Sequence, residues 1–108
     1  MTPSIRPEVP GDYAAVEALV REAFWNVYQP GCYEHHYLHL LRRSPAFRGD
    51  LTFFCEAEGR PAGYLACSSS SIALCGGGRL ETITFGPLAV LPALQKQGLA
   101  RALVCHAL

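Results

Sequence analysis

GPLAVLPALQKQGLARALVCHAL, residues 86–108, is the stretch on which the fold turns. Leu88, Ala89, Val90 and Leu91 form a short apolar run between Pro87 and Pro92. A run this short, flanked by prolines, suits a buried strand better than a helix. Pro92 lacks an N–H and has a fixed φ, so the strand ends there. After Gly98, apolar residues fall at Leu99, Ala100, Ala102, Leu103, Val104 and Ala107, and the abundance of alanine and leucine predicts a helix. Gln95, Lys96, Gln97, Gly98, Leu99 and Ala100 link the two elements. Gly98 and Ala100 leave room for a ligand to approach the backbone. The first amides of a helix have no partner within it and sit at the positive end of a dipole of roughly half an elementary charge. An anion suits such a loop, a phosphate above all, and Lys96 and Arg101 add positive charge beside it.

Val90-Leu91-Pro92, followed by Gln95-Lys96-Gln97-Gly98-Leu99-Ala100, resembles the acetyl-CoA signature of the GNAT N-acetyltransferases. That signature is a Gln/Arg-x-x-Gly-x-Gly/Ala loop preceded by a Val-x-Pro strand end. Gly86-Pro87-Leu88-Ala89-Val90 is similar to the YhbS-like bacterial branch. The loop alone is weak evidence, since a strand–turn–helix corner can carry a glycine for packing; loop, strand and helix in this order are specific. The resemblance implies an α/β (α+β) fold with a mostly antiparallel central sheet flanked by helices. It implies acetyl-CoA as co-substrate and no metal. Cofactor contacts would come from Leu88, Ala89 and Val90 on the strand, with backbone groups of Leu88 and Val90 pairing with the pantetheine arm. Gln95, Lys96, Gln97, Gly98, Leu99, Ala100 and Arg101 would surround the pyrophosphate. The acetyl group would pass directly to an amine of a small molecule or protein, with no covalent enzyme intermediate.

The 108 residues make one domain with a modest core. Half are apolar and the formal net charge is zero. No basic patch interleaved with aromatics points to nucleic acid, and no apolar run reaches the length of a membrane span. The opening MTPSIRPEVPGDY is too polar for a signal peptide. The five cysteines, at 32, 55, 67, 75 and 105, are odd in number and contain no CxxC. Reduced thiols and a cytoplasmic location are expected, rather than disulfides or zinc.

Along the chain, Ser4-Ile5-Arg6 reads as an opening strand, and Asp12 as the N-cap of a helix whose apolar stripe is Ala15, Val16, Leu19, Val20, Ala23 and Phe24. A second helix is expected over residues 33–43, stopped by Ser44-Pro45. Residues 51–57 and 62–74 read as an antiparallel hairpin around a turn at 58–61. Gly76-Gly77-Gly78 turns the chain into a strand over 79–90. This opening of strand, two helices and a strand meander is also similar to the GNAT order. The family continues with another strand, another helix and closing strands. The expectation is therefore a domain truncated within its third helix. The second strand wall and a tyrosine that protonates the departing thiolate would lie beyond Leu108, and this portion alone would be a poor catalyst unless a partner chain completes the site. A shortened sheet leaves an unpaired edge, which invites a homodimer or strand exchange.

Glu81 is the candidate general base by chemistry, although Thr84 lies closer to the place where the family's carboxylate sits; the other reading of Glu81 is a solvated strand residue. His35 and His39 share a helix face at zinc-ligand spacing, with no HExxH and no third ligand in the pattern. Trp25, Tyr28 and Tyr33 either contact the acceptor or pack the helices on the sheet. Cys32 has no flanking pattern that would activate its thiol. Arg42, Arg43 and Arg48 read as a solvated helix face and loop. A GNAT-like module that binds acyl-CoA or a partner without turnover is the alternative function. A Rossmann or P-loop domain is disfavoured, because neither GxGxxG nor GxxxxGKS/T occurs.

Overall fold

The structure, a computed structural model, describes residues 3–108. β1 (Ser4–Pro7), β2 (Phe53–Ala57), β3 (Arg60–Ala73) and β4 (Arg79–Val90) form one antiparallel sheet in the order β1-β2-β3-β4. α1 (Tyr13–Phe24) and α2 (Glu34–Leu41) follow β1, and α3 (Leu99–Ala107) follows β4. The β2–β3 turn is built from Glu58 and Gly59, with φ of 55° and 73°. Two successive positive φ values match the twist of a tight hairpin.

Side chains alternate across the sheet, and the two faces carry different helices. Gly63 faces α3: a Cβ there would stand 3.0 Å from Leu103 Cδ1, so the bare backbone lets that side chain pack close without shifting. Phe53 meets His106 of α3 edge-to-face at 4.6 Å. On the opposite face, Tyr64 reaches toward the helices α1 and α2, its hydroxyl donating to Glu8 at 3.0 Å. Val16, Val20, Leu38, Tyr64, Leu65 and Leu103 are fully buried, so both helical layers share one core through the sheet.

Three expectations are corrected here. α2 is shorter than residues 33–43, running from Glu34 to Leu41. Asp12 stands at the start of α1, but its carboxylate does not cap that helix. It accepts the Val9 N–H at 2.9 Å and two N–H groups of Arg6 at 2.8 and 2.9 Å, tying β1 to the turn that follows it. Arg42 is not a solvated residue: its side chain is 7% exposed. Its guanidinium donates to Glu8 and Glu17 and stacks on Tyr13 at 4.0 Å. Burial pushes the Glu8 carboxyl up, against the pull of Arg42 and Tyr64. Burial, with Glu8 beside it, holds the Tyr64 phenol well above its ordinary value.

Beyond the helices, β3 and β4 continue as a projecting ribbon that ends in three glycines with φ of 87°, 97° and 88°. The molecule measures 50 × 31 × 27 Å along its principal axes.

Candidate functional site at the end of β4

The register of β3 and β4 decides which backbone groups face outward. Gly63 pairs with Val90, Tyr64 with Ala89 and Leu65 with Leu88. The Leu91 N–H donates to the Ala62 carbonyl at 2.8 Å, so this neighbouring pair is hydrogen-bonded. In an antiparallel ladder bonded and non-bonded pairs alternate. The Tyr64–Ala89 rung is therefore bonded, and the N–H and C=O of Leu88 and Val90 point away from β3. No strand flanks β4 on that side among the described residues. A β-bulge follows, because Leu65 and Cys67 in β3 face Leu88 and Phe85 in β4. Two residues of β4, Gly86 and Pro87, thus stand opposite Ala66 alone. A proline fits there, where its missing N–H interrupts no regular ladder.

After Leu91, Pro92 starts a single 3-10 turn, Pro92–Leu94, which buries Leu94 and ends at Gln95. Lys96 and Gly98 then take positive φ, 64° and 86°, and curl the chain into the first turn of α3. Alternating handedness of this kind turns successive N–H groups toward one concavity. The N–H groups of Lys96, Gln97, Gly98, Leu99, Ala100 and Arg101 have no protein acceptor among the described residues; the next amide, of Ala102, bonds the Gly98 carbonyl at 3.0 Å.

Leu88, Val90, Gln95, Lys96, Gly98, Leu99, Ala100 and Arg101 line one groove of about 500 Å³. Its lining contains two cations and no carboxylate. Ala89 and Gln97 are not in that lining. Ala89 is buried on the α1 face, with its backbone spent on Tyr64, and the Gln97 side chain is exposed to solvent. Gln95 reaches back, its side-chain amide donating to the Val90 carbonyl at 3.1 Å. Glu81 stands opposite Ser71 on the projecting ribbon, exposed, with about 16 Å of extended strand between it and Gly86.

His35 and His39 do not converge: His35 Nδ1 lies 3.4 Å from Cys32 Sγ, and His39 Nδ1 lies 3.5 Å from Glu17. Burial raises the Cys32 thiol above its ordinary value. Trp25, Tyr28 and Tyr33 are exposed rather than packed under the helices, with Trp25 covered in part by the Arg21 guanidinium at 4.3 Å. The Glu8–Arg42–Tyr64 group escaped the sequence reading. Its signal is spacing: Leu38, Leu41 and Arg42 sit at i, i+3 and i+4 on one helix face.

The chain matches the acetyltransferase (GNAT) family over residues 14–108. It belongs to that family. No curated protein sequence matches it. Among solved structures it resembles a GNAT family acetyltransferase from Brucella melitensis in complex with acetyl-CoA, at 28% identity and a TM-score of 0.79. That likeness covers 97% of this chain and 65% of the Brucella protein. The aminoglycoside 6'-N-acetyltransferase AAC(6')-IG from Acinetobacter haemolyticus shares the fold at 16% identity and a TM-score of 0.65, over 96% of this chain and 68% of its own. AAC(6')-Iy, solved with a bisubstrate analog, does so at 17% identity and a TM-score of 0.67, over 99% and 69%. The GNAT chain described here therefore spans about two thirds of the length of these relatives. No helix among its described residues is long and apolar enough to cross a membrane.

Proposed function

We propose that this chain binds acetyl-CoA along β4 and the N-terminal loop of α3, as part of an N-acetyltransferase that moves the acetyl group directly to an amine. The observation that carries this is the run of unpartnered amides from Lys96 to Arg101, opening on a groove with cations and no carboxylate. A diphosphate fits that chemistry. The outward polar groups of Leu88 and Val90 continue the groove with donors and acceptors suited to an extended amide chain. Acetyl-CoA, once bound, supplies the thioester whose carbonyl the amine attacks. The residues of this chain hold and orient it: Lys96 and Arg101 offset phosphate charge, the loop amides fix its position, and the β4 edge aligns the arm.

Glu81 lies outside the groove lining, and a base must stand within hydrogen-bond reach of the proton it takes, directly or through one water, so this reading assigns it no catalytic part. Glu81→Gln is expected to leave turnover within about twofold and the pH profile unchanged, whereas removal of a true general base costs about 10²–10⁴-fold. Neither a carboxylate nor a histidine lines the groove. A second reading, an acyl-CoA-binding module without turnover, uses the same groove. Calorimetric titration with acetyl-CoA, run beside mass-spectrometric detection of acetylated amines from a panel of small amines and peptides, separates the two. Binding with product supports the enzyme; binding without product supports the module; no binding removes both.

A further inference from the structure

We propose that Gln95 is a latch on the ligand edge of β4, so that an extended amide ligand displaces its side chain from Val90 in order to pair with the strand. The proposal rests on the acetyl-CoA reading above. The Val90 carbonyl points away from β3 by the alternation of the ladder, and it lies in the groove lining. The Gln95 side-chain amide already donates to it at 3.1 Å. The position of Gln95 is set by its own backbone: the Pro92–Leu94 turn is anchored by buried Leu94, and the Gln95 N–H returns to the Pro92 carbonyl at 3.4 Å. The side chain is thus aimed back along the chain at the strand end it has just left. It stands between the amide loop on one side and the β4 edge on the other.

The latch acts on one part of the ligand only. A ligand with a diphosphate and no amide arm engages the loop and leaves Val90 untouched. A ligand carrying the arm competes with Gln95 for one acceptor. Re-formation of the Gln95 bond then favours departure of the arm, which speeds release of the spent coenzyme. The competing group is an exposed neutral amide, so its removal is worth about 2- to 10-fold in affinity.

Calorimetry on the wild-type chain, Gln95→Ala and Gln95→Met, each titrated with CoA and with ADP, tests this. Methionine keeps the length of glutamine and removes the donor. The expected result is CoA binding about 2- to 10-fold tighter in both variants, with ADP unchanged. Weaker binding of both ligands would overturn the latch and make Gln95 a diphosphate contact. Unchanged CoA affinity would overturn it too, meaning that Val90 shares its two acceptor sites between ligand and side chain. The Gln95 side-chain amide signals, followed by NMR in the free protein, read the bond itself. Solvent-like exchange of those protons in a chain that binds CoA normally sinks the latch alone. Failure of all three folded chains to bind CoA sinks the coenzyme reading, and the latch with it.

Discussion

Gly98 carries its constraint in its backbone. Its φ is +86°, and a Cβ built there would meet nothing within 4 Å. Any effect of Gly98→Ala therefore comes from conformation and not from crowding, at about 1–2 kcal/mol for an L-residue held left-handed. Chemical denaturation should show that loss, and CoA titration should show a weaker complex as the loop relaxes out of its curl. Asp12 gives a prediction of a different kind. The Arg6 guanidinium lowers its carboxyl from the ordinary 3.8 to about 2. A carboxyl lowered on folding adds stability above its unfolded value, and that stability is lost as pH falls through the folded value. The acid limb of the stability curve should therefore drop between about pH 4 and pH 2. Asp12→Asn should flatten that limb, and urea melts across this range check it. Both residues were legible in part. Gly98 and Pro92 each have a backbone property that no neighbour can alter, so the loop could be read directly. The type of Asp12 was legible as a helix-start residue, but its partner, Arg6, is set by the path of the turn.

Among elements, α2 depends on one buried charge. Arg42 holds the buried Glu8 and the partly exposed Glu17, while Tyr64 supplies a second bond to Glu8. Arg42→Ala leaves Glu8 buried without its cation and should cost about 3–5 kcal/mol. Glu8→Gln in the same chain should return part of that loss, because a neutral amide needs no counter-charge. Denaturant melts of the two single variants and the double variant measure the coupling. None of this was visible in the charge pattern. Arg42 sits beside Arg43, and two adjacent arginines read as a wet surface until the helix register is fixed by Leu38 and Leu41. Its main partner, Glu8, comes from the other side of α1, and single-chain periodicity carries no information about such pairs. The strands, in contrast, came through in number and order, because the turns are marked by residues 58–61, the triple glycine and Pro92, although β2 starts at Phe53 rather than 51 and β3 at Arg60 rather than 62.

For the molecule as a whole, the projecting ribbon is the exposed feature. Ile72, Leu74, Leu80, Ile83 and Phe85 all stand partly in water there, the last three on β4, whose outer edge is open among the described residues. Such an edge recruits further strands. The 108-residue chain should self-associate as its concentration rises, and Ile83→Lys should shift that association to higher concentration, as measured by sedimentation. Glu81 belongs to this ribbon and not to the groove; the sequence gives its type and strand, but the separation follows from how far β4 runs past the helices before its bulge.

The alternation along β4 has one more result. Leu88 and Val90 turn their polar groups outward while Ala89 spends its own on Tyr64, so the exposed groups recur at every second residue, about 7 Å apart. That interval is a ruler made of main chain. A guest whose amides match it engages both positions at once, and one with a shorter or longer spacer engages a single position. Length discrimination of this sort lies in the pleat, and no exchange of side chains at these positions would erase it.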